Sequence, residues 1–275
     1  MREIIKIDDF SAPELDVYVR LTGAQLRSKL EPEKGIFIAE SPTVIEVALE
    51  SGCTPISLLT DERLMNTQVK GIIDKLPESV PIYTATSEVL RSLTGFELTR
   101  GALAAMYRPK QQPLEELLKG AKRIAVLEEI ADSTNVGAIF RSAAALGIDA
   151  VLVTPTCCDP LCRRAVRVSM GTIFKVPFAK IGRDVKDWPN PAIEELHSLG
   201  FKTCSMALTD ESISMDSPIL KSEDKLAIIL GTEGTGLKKE TISASTYTVK
   251  IPMERGVDSL NVGAAAAIAF WQLTR

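Results

Sequence analysis

Short apolar segments alternate with helical segments along the second half of the chain, and no other feature constrains the fold as much. Strands are predicted at 123–130, 150–154, 174–178, 201–206, 225–231 and 247–251, and helices at 136–146, 191–199 and 261–273. Strands that are apolar throughout and separated by helices are typical of a parallel sheet buried on both faces. The sequence therefore predicts an α/β domain that binds its ligand at the carboxyl ends of the strands.

The first part of the chain predicts a second, smaller α/β unit. Helices are predicted at 14–30 and 42–50, and strands at 35–39, 56–60, 80–83 and 102–107. The segment 108–113 holds two prolines among polar residues, which is typical of a linker. We predict one domain over residues 1–108, a linker over 109–119 and a second domain over 120–275.

Composition indicates a folded chain without a membrane anchor. The 275 residues are 45% hydrophobic, which is enough apolar material for two cores. No apolar run reaches the ~18 residues of a membrane span, and the first residues lack the pattern of a signal peptide. We expect a cytoplasmic protein.

Three of the five cysteines, Cys157, Cys158 and Cys162, lie close together in the sequence. Their spacing differs from the paired C-x-x-C of a structural zinc site, and the only histidine, His197, is distant. We therefore expect partly buried thiols and no metal, and we assign the cluster no chemical role.

One segment of this acidic chain is strongly basic. The net charge is −4, which argues against a protein that coats nucleic acid nonspecifically. Six basic residues and no acidic one nevertheless occur between 161 and 183: Arg163, Arg164, Arg167, Lys175, Lys180 and Arg183. The segment is either a footprint for RNA phosphates or a solvated helix face. The first three arginines are the predicted RNA-binding residues.

Three further segments run from a strand end into a loop: LEEIADSTNVGAIFRSAA at 127–144, LGTEGTGL at 230–237 and IPMERGVDSLNVGAAAA at 251–267. In order and spacing they resemble the three motifs of the SpoU/TrmH branch of the SPOUT methyltransferases. The resemblance implies an enzyme that methylates ribose 2′-hydroxyls of RNA with S-adenosylmethionine. It also implies a trefoil-knotted catalytic domain and a homodimer. The first domain is similar in pattern to the L30e-like RNA-recruiting module of many rRNA methyltransferases.

Arg141 lies off the apolar stripe of the helix predicted at 136–146, so it points away from the core. Helix N-termini attract phosphate, and the resemblance assigns Arg141 to the ribose hydroxyl. Arginine holds its proton up to a pH of about 12, so we expect it to stabilise the developing alkoxide and the adjacent phosphate. Asn135 is expected to cap this helix as well as to join the site. A plain surface arginine and a purely structural asparagine are the alternatives.

The second and third segments supply the remaining predicted site residues. Three glycines within 231–236 allow a ligand to approach the backbone closely. The resemblance assigns donor binding to Gly231, Ile251, Met253 and Leu260. It assigns catalytic roles to Glu233 and Asn261 beside Asn135 and Arg141, and Asn261 can also cap the final helix. For Glu233, a solvated side chain in an ordinary turn is the alternative.

The final helix is expected to pack on its copy across a two-fold axis through the alanines 264–267, Phe270 and Trp271.

The L30e-like domain and the lack of a tRNA-type terminal extension favour 23S rRNA as the substrate. A tRNA 2′-O-methyltransferase and a non-catalytic RNA-binding protein of the same fold are the alternatives. A nucleotide-binding metabolic enzyme is disfavoured because no G-x-G-x-x-G follows the first strand. No DNA or membrane partner is expected, and the target nucleotide and a role in antibiotic resistance stay open.

Overall fold

The computed structural model describes residues 3–9, 11–19, 35–94 and 101–275. The chain divides into two compact units, residues 1–110 with 159–174 and residues 111–158 with 175–275. The domain limits given above stay a prediction, and the segment 159–174 groups with the first unit rather than with its sequence neighbours. Among the described residues, no helix has both the length and the apolar character needed to cross a membrane.

A mixed sheet of five strands organises the described part of the first unit. The strands are β1 (Ile4–Lys6), β2 (Ile36–Glu40), β3 (Pro55–Asp61), β4 (Ile82–Ala85) and β5 (Ala102–Tyr107), and they lie in the order β1-β4-β3-β5-β2. β4 is parallel to β1 and β3, whereas β5 is antiparallel to β3 and β2. Helices cover Asp16–Val19, Pro42–Glu50, Lys70–Lys75, Ser87–Thr94 and Arg163–Val168, with 3-10 turns at Pro13–Leu15, Glu62–Leu64 and Thr172–Lys175.

The helix predicted at 14–30 is present at its start, as the turn Pro13–Leu15 and the helix Asp16–Val19. Its remainder lies outside the described residues. β1 was missed because three residues are too few to show a periodic pattern.

The second unit holds a seven-stranded sheet in which every pair of neighbours is parallel. The strands are β6 (Arg123–Leu127), β7 (Ala150–Val153), β8 (Phe178–Lys180), β9 (Lys202–Met206), β10 (Ile213–Ser214), β11 (Leu226–Leu230) and β12 (Tyr247–Lys250), in the order β10-β12-β9-β11-β6-β7-β8. This confirms the predicted parallel sheet. The strand placed at 174–178 is wrong, because Pro177 has no amide hydrogen for a sheet and pairing begins only at Phe178.

Helices of the second unit cover Leu114–Leu117, Ser133–Leu146, Ala192–Ser198, Pro218–Ser222, Lys239–Ala244 and Val262–Leu273, with a 3-10 turn at Val185–Asp187. The helix Ser133–Leu146 begins at Asp132, whose carboxylate accepts a hydrogen bond from the Thr134 amide at 2.7 Å. It ends at Gly147, where φ is 79°. The prediction that Asn135 caps this helix is therefore wrong. Asn135 lies buried inside the first turn instead.

The final helix, Val262–Leu273, packs on the helix Ser133–Leu146. Ala266, Ala269 and Phe270 are fully buried. The prediction that Phe270 lies at a subunit interface is therefore wrong, because its ring is part of the core of its own chain. Ile268 and Trp271 are 41% and 49% exposed, and they form the apolar part of the outer face of this helix.

Candidate active site

A cleft of about 740 Å³ opens at one edge of the second sheet. Its walls come from the residues that follow three neighbouring strands, β9, β11 and β12, and from the start of the final helix. Parallel strands bring their carboxyl ends to the same edge, which is where ligands bind in α/β folds. The cleft therefore lies where the sequence predicted a ligand site.

The predicted donor-binding residues Gly231, Ile251, Met253 and Leu260 all line this cleft. Leu260 is 41% exposed, so a large apolar side chain is held open to solvent at the wall of the cleft. Two carboxylates, Glu233 and Asp258, and one ammonium group, Lys250, also line it. The cleft thus combines apolar surface with a small excess of negative charge.

Gly231 is required by the backbone of its own loop. A Cβ atom at this position would lie 2.5 Å from the carbonyl carbon of Gly236 and 2.6 Å from the amide nitrogen of Leu237. The loop closes on itself there, since the Gly236 amide donates to the Thr232 carbonyl oxygen at 3.1 Å. The need for glycine at 231 was predicted from close ligand approach, and the structure adds a steric reason inside the loop.

Asn261 connects all three segments through one side chain. Its Oδ1 accepts hydrogen bonds from the amides of Gly263 at 3.0 Å and Ala264 at 3.3 Å, so it caps the final helix as predicted. Its Nδ2 donates to Oδ1 of Asn135 at 3.0 Å and to Oε1 of Glu233. Both hydrogens of the amide group are thereby used, and three of the four predicted catalytic residues form one hydrogen-bonded cluster.

The fourth predicted catalytic residue, Arg141, is on the same helix as Asn135, with its side chain exposed. It does not line the cleft. Within the part of the chain that the structure describes, no carboxylate forms an ion pair with it, so its charge is available to a substrate.

The predicted RNA-binding arginines lie in the first unit, all within the helix Arg163–Val168. Arg163 is only 8% exposed, and its Nε donates to Oε2 of Glu40 at 3.0 Å. This buried ion pair leaves the guanidinium no open surface for a phosphate, and we remove Arg163 from the predicted RNA-binding set. Arg164 is exposed, and Arg167 is half-buried with its Nη1 3.6 Å from Glu40.

Cys157, Cys158 and Cys162 are half-buried thiols. The Cys157 Sγ donates to the carbonyl oxygen of Ile130 at 3.3 Å. Among the described residues, no three His, Cys, Asp or Glu side chains lie close enough together to hold a metal ion.

Glu128 is a buried carboxyl group at the carboxyl end of β6 that the sequence reasoning did not single out. It is 1% exposed and accepts three hydrogen bonds, from the Lys238 amide at 2.7 Å, from Nε1 of Trp188 and from Oγ1 of Thr241. An acidic residue directly after an apolar strand was the available signal. It was overlooked because all three partners are remote in sequence.

Comparison with known proteins places this geometry in a family. The SpoU rRNA methylase family model matches residues 122–271. The chain is 37% identical to an uncharacterized tRNA/rRNA methyltransferase of Mycobacterium bovis, over 99% of this chain and 92% of that protein. It is 26% identical to the 23S rRNA (guanosine(2553)-2′-O)-methyltransferase RlmP of Bacillus subtilis, over 90% of this chain and 93% of that protein.

A solved structure has the same fold. The AdoMet-bound rRNA methyltransferase from Sinorhizobium meliloti superposes with a TM-score of 0.78 at 18% identity, over 98% of this chain and 97% of that one. The three motifs, the parallel sheet and the match of the family model over residues 122–271 agree, and the chain belongs to the SpoU rRNA methylase family.

Proposed function

We propose that this protein methylates a ribose 2′-hydroxyl in structured RNA, with 23S rRNA as the substrate and S-adenosylmethionine as the donor. The observation that carries the proposal is the cluster of Asn135, Glu233 and Asn261. Glu233 and Asn261 themselves line the 740 Å³ cleft. Polar groups held rigidly beside a cleft of this size are what a small-molecule cofactor site needs.

The residues of the cleft fit S-adenosylmethionine. Its volume lies within the range of roughly 300–1,000 Å³ that is usual for small-molecule sites. Ile251, Met253 and Leu260 offer apolar surface to an adenine ring, and the carboxylates of Glu233 and Asp258 suit a cationic sulfonium centre. When bound, the cofactor supplies a methyl group activated by its positive sulfur.

The residues of the chain would act mainly by holding the reacting groups in place. Arg141 would bind the phosphate next to the target ribose and stabilise negative charge on the 2′-oxygen as it develops. Glu233 is fixed by Asn261, which in turn is fixed by the start of the final helix. A displacement reaction depends on alignment of three atoms, and such alignment alone gives large rate gains.

The proposal extends to the substrate RNA, the subunit assembly and the first domain. The relative RlmP acts on 23S rRNA and matches this chain almost end to end, which favours rRNA over tRNA. The exposed Ile268 and Trp271 support a homodimer through the final helix. An L30e-like first domain, a trefoil knot, RNA contacts at Arg164 and Arg167, and a cytoplasmic location complete the proposal. The alternative of a non-catalytic RNA-binding protein would bind the donor without transferring its methyl group.

S-adenosylhomocysteine, the product of the donor, is expected to bind at about one molecule per chain and to raise the melting temperature. Calorimetric titration and thermal melts measure both effects. Methyl transfer from radiolabelled donor to 23S rRNA and to tRNA then separates the two substrates. Absence of both heat and a melting shift would overturn the proposed cofactor site. Binding without transfer to either RNA would support the non-catalytic alternative.

Two variants of Asn261 separate its capping role from its role in the cluster. Aspartate at this position keeps an acceptor for the helix start but has no hydrogen to donate to Asn135, and it places a second carboxylate beside Glu233. We expect Asn261→Asp to keep the melting temperature within a few degrees and to lose most methyl transfer. Asn261→Ala should lose transfer and about 1 kcal/mol of stability. Normal transfer by Asn261→Asp would show that only the cap matters.

A further inference from the structure

Glu128 contacts both ends of the glycine loop 231–237 that forms one wall of the cleft. Its amide donates to the carbonyl oxygen of Leu230 at 2.8 Å, and its Oε1 accepts from the amide of Lys238 at 2.7 Å. Leu230 is the last residue of β11, and Lys238 is the first residue after the loop. Glu128 therefore forms hydrogen bonds both to the residue before the loop and to the residue after it.

The second oxygen of the same carboxyl group holds the elements around the loop. Oε2 accepts from Nε1 of Trp188 and from Oγ1 of Thr241, which is in the helix that begins directly after the loop. The carboxyl group of Glu128 thus accepts three hydrogen bonds in all, and the residue is 1% exposed. Buried hydrogen-bonded groups of this kind cannot exchange their partners for water.

The neighbouring residue strengthens the same connection. Glu129 has a φ of 55°, and its Oε1 lies 2.7 Å from Nζ of Lys238. Lys238 is therefore held twice, through its amide by Glu128 and through its ammonium group by Glu129. Glu128 and Glu129, which follow β6, therefore fix the end of the loop, in addition to the glycines within it.

We infer that Glu128 is a positioning residue for the donor: it holds the loop 231–237 in the conformation that binds S-adenosylmethionine. The inference rests on the proposed function. It does not require Glu128 to touch the donor, and Glu128 does not line the cleft. Loss of the carboxyl group should release the loop at Lys238, so that the loop adopts more conformations. Only a fraction of these would bind the donor, and the affinity for the donor should fall.

Glu128→Ala is expected to lower the affinity for S-adenosylhomocysteine by at least about tenfold. The reason is that the amide of Lys238 and Nε1 of Trp188 lose their buried acceptor. Calorimetric titration of the folded protein, well below its melting temperature, measures this change. Affinity for RNA, measured without donor, should change less than twofold, which a general loss of structure would not allow.

Glutamine and phenylalanine substitutions give a sharper test. Glu128→Gln retains an acceptor for Lys238 and can donate to Thr241, but its amide hydrogens then face the N–H of Trp188. Trp188→Phe removes that N–H. We expect Glu128→Gln to bind S-adenosylhomocysteine more weakly than the natural protein, and the double variant to recover most of the lost affinity.

Glu40 provides the matched control, since it is a carboxyl group of similar burial, 4% exposed, in the other unit. Glu40→Gln should lower the melting temperature and leave S-adenosylhomocysteine affinity unchanged. If the natural protein fails to bind S-adenosylhomocysteine, the proposed function fails. Two results would contradict the role of Glu128 while the proposed function stands. One is that the natural protein and Glu128→Ala bind S-adenosylhomocysteine equally well. The other is that the double variant binds it no more tightly than Glu128→Gln does.

Discussion

Replacement of Arg141 by alanine is expected to lower the rate of methyl transfer by about a hundredfold to a thousandfold. S-adenosylhomocysteine affinity should change less than twofold, because Arg141 does not line the cleft. The side chain is exposed on the helix that carries Asn135, so its removal leaves the core intact. Single-turnover transfer from radiolabelled donor, together with calorimetric titration, separates the two effects.

Arg141→Lys is the matched variant. A lysine keeps the positive charge but lacks the planar pair of donors that binds a phosphate in a bidentate manner. We expect it to recover less than about a tenth of the lost rate. If Arg141→Ala lost donor affinity, melting temperature and transfer together, Arg141 would be structural. Full recovery by lysine would show that charge alone is sufficient.

Gly231→Ala is expected to abolish measurable binding of S-adenosylhomocysteine, a loss of about a hundredfold or more. The added methyl group would lie 2.5 Å from the Gly236 carbonyl carbon, and a backbone atom cannot move aside as the end of a flexible side chain can. The loop must therefore open, and the cleft loses a wall. The sheet below the loop is unaffected, so the variant should still fold cooperatively.

Two other glycines provide controls for this variant. Gly71 lies in the helix Lys70–Lys75 with open space around it, so Gly71→Ala should leave binding unchanged and gain about 0.5–1 kcal/mol of stability. Gly234 is in the same loop with open space but a φ of 87°, so Gly234→Ala tests backbone strain without a collision. Its loss of affinity should be smaller than that of Gly231→Ala. Equal affinity of Gly231→Ala and the natural protein would contradict the steric account.

Periodicity and turn residues predicted the parallel sheet and the helix Val262–Leu273 well, because both depend on local sequence. The resemblance of three motifs assigned Asn135, Glu233 and Asn261 to one site, and the structure shows hydrogen bonds from Asn261 to the other two side chains. The cap was assigned to Asn135, whereas Asp132, an equally good capping residue three positions earlier, takes that role and leaves Asn135 buried inside the first turn.

Two other discrepancies concern partners that are remote along the chain. Arg163 was read as exposed from a basic run, yet its position is decided by Glu40, which is 123 residues away. Sequence reasoning did not single out Glu128 because its three side-chain partners lie 60 to 113 residues further along the chain. Burial of a charged group depends on such partners, and a single sequence does not reveal them.

The hydrogen bond between Asn261 and Asn135 spans 126 residues. The cluster therefore comes into being only after the last helix has docked on the helix Ser133–Leu146, whatever the order in which the strands pair. A chain emerging from the ribosome holds the glycine loop and most of the sheet before it holds Asn261. Loops of that length close slowly compared with local structure. We therefore expect the proposed methyl transfer only after the helix Val262–Leu273 has been synthesised and has docked on the helix Ser133–Leu146.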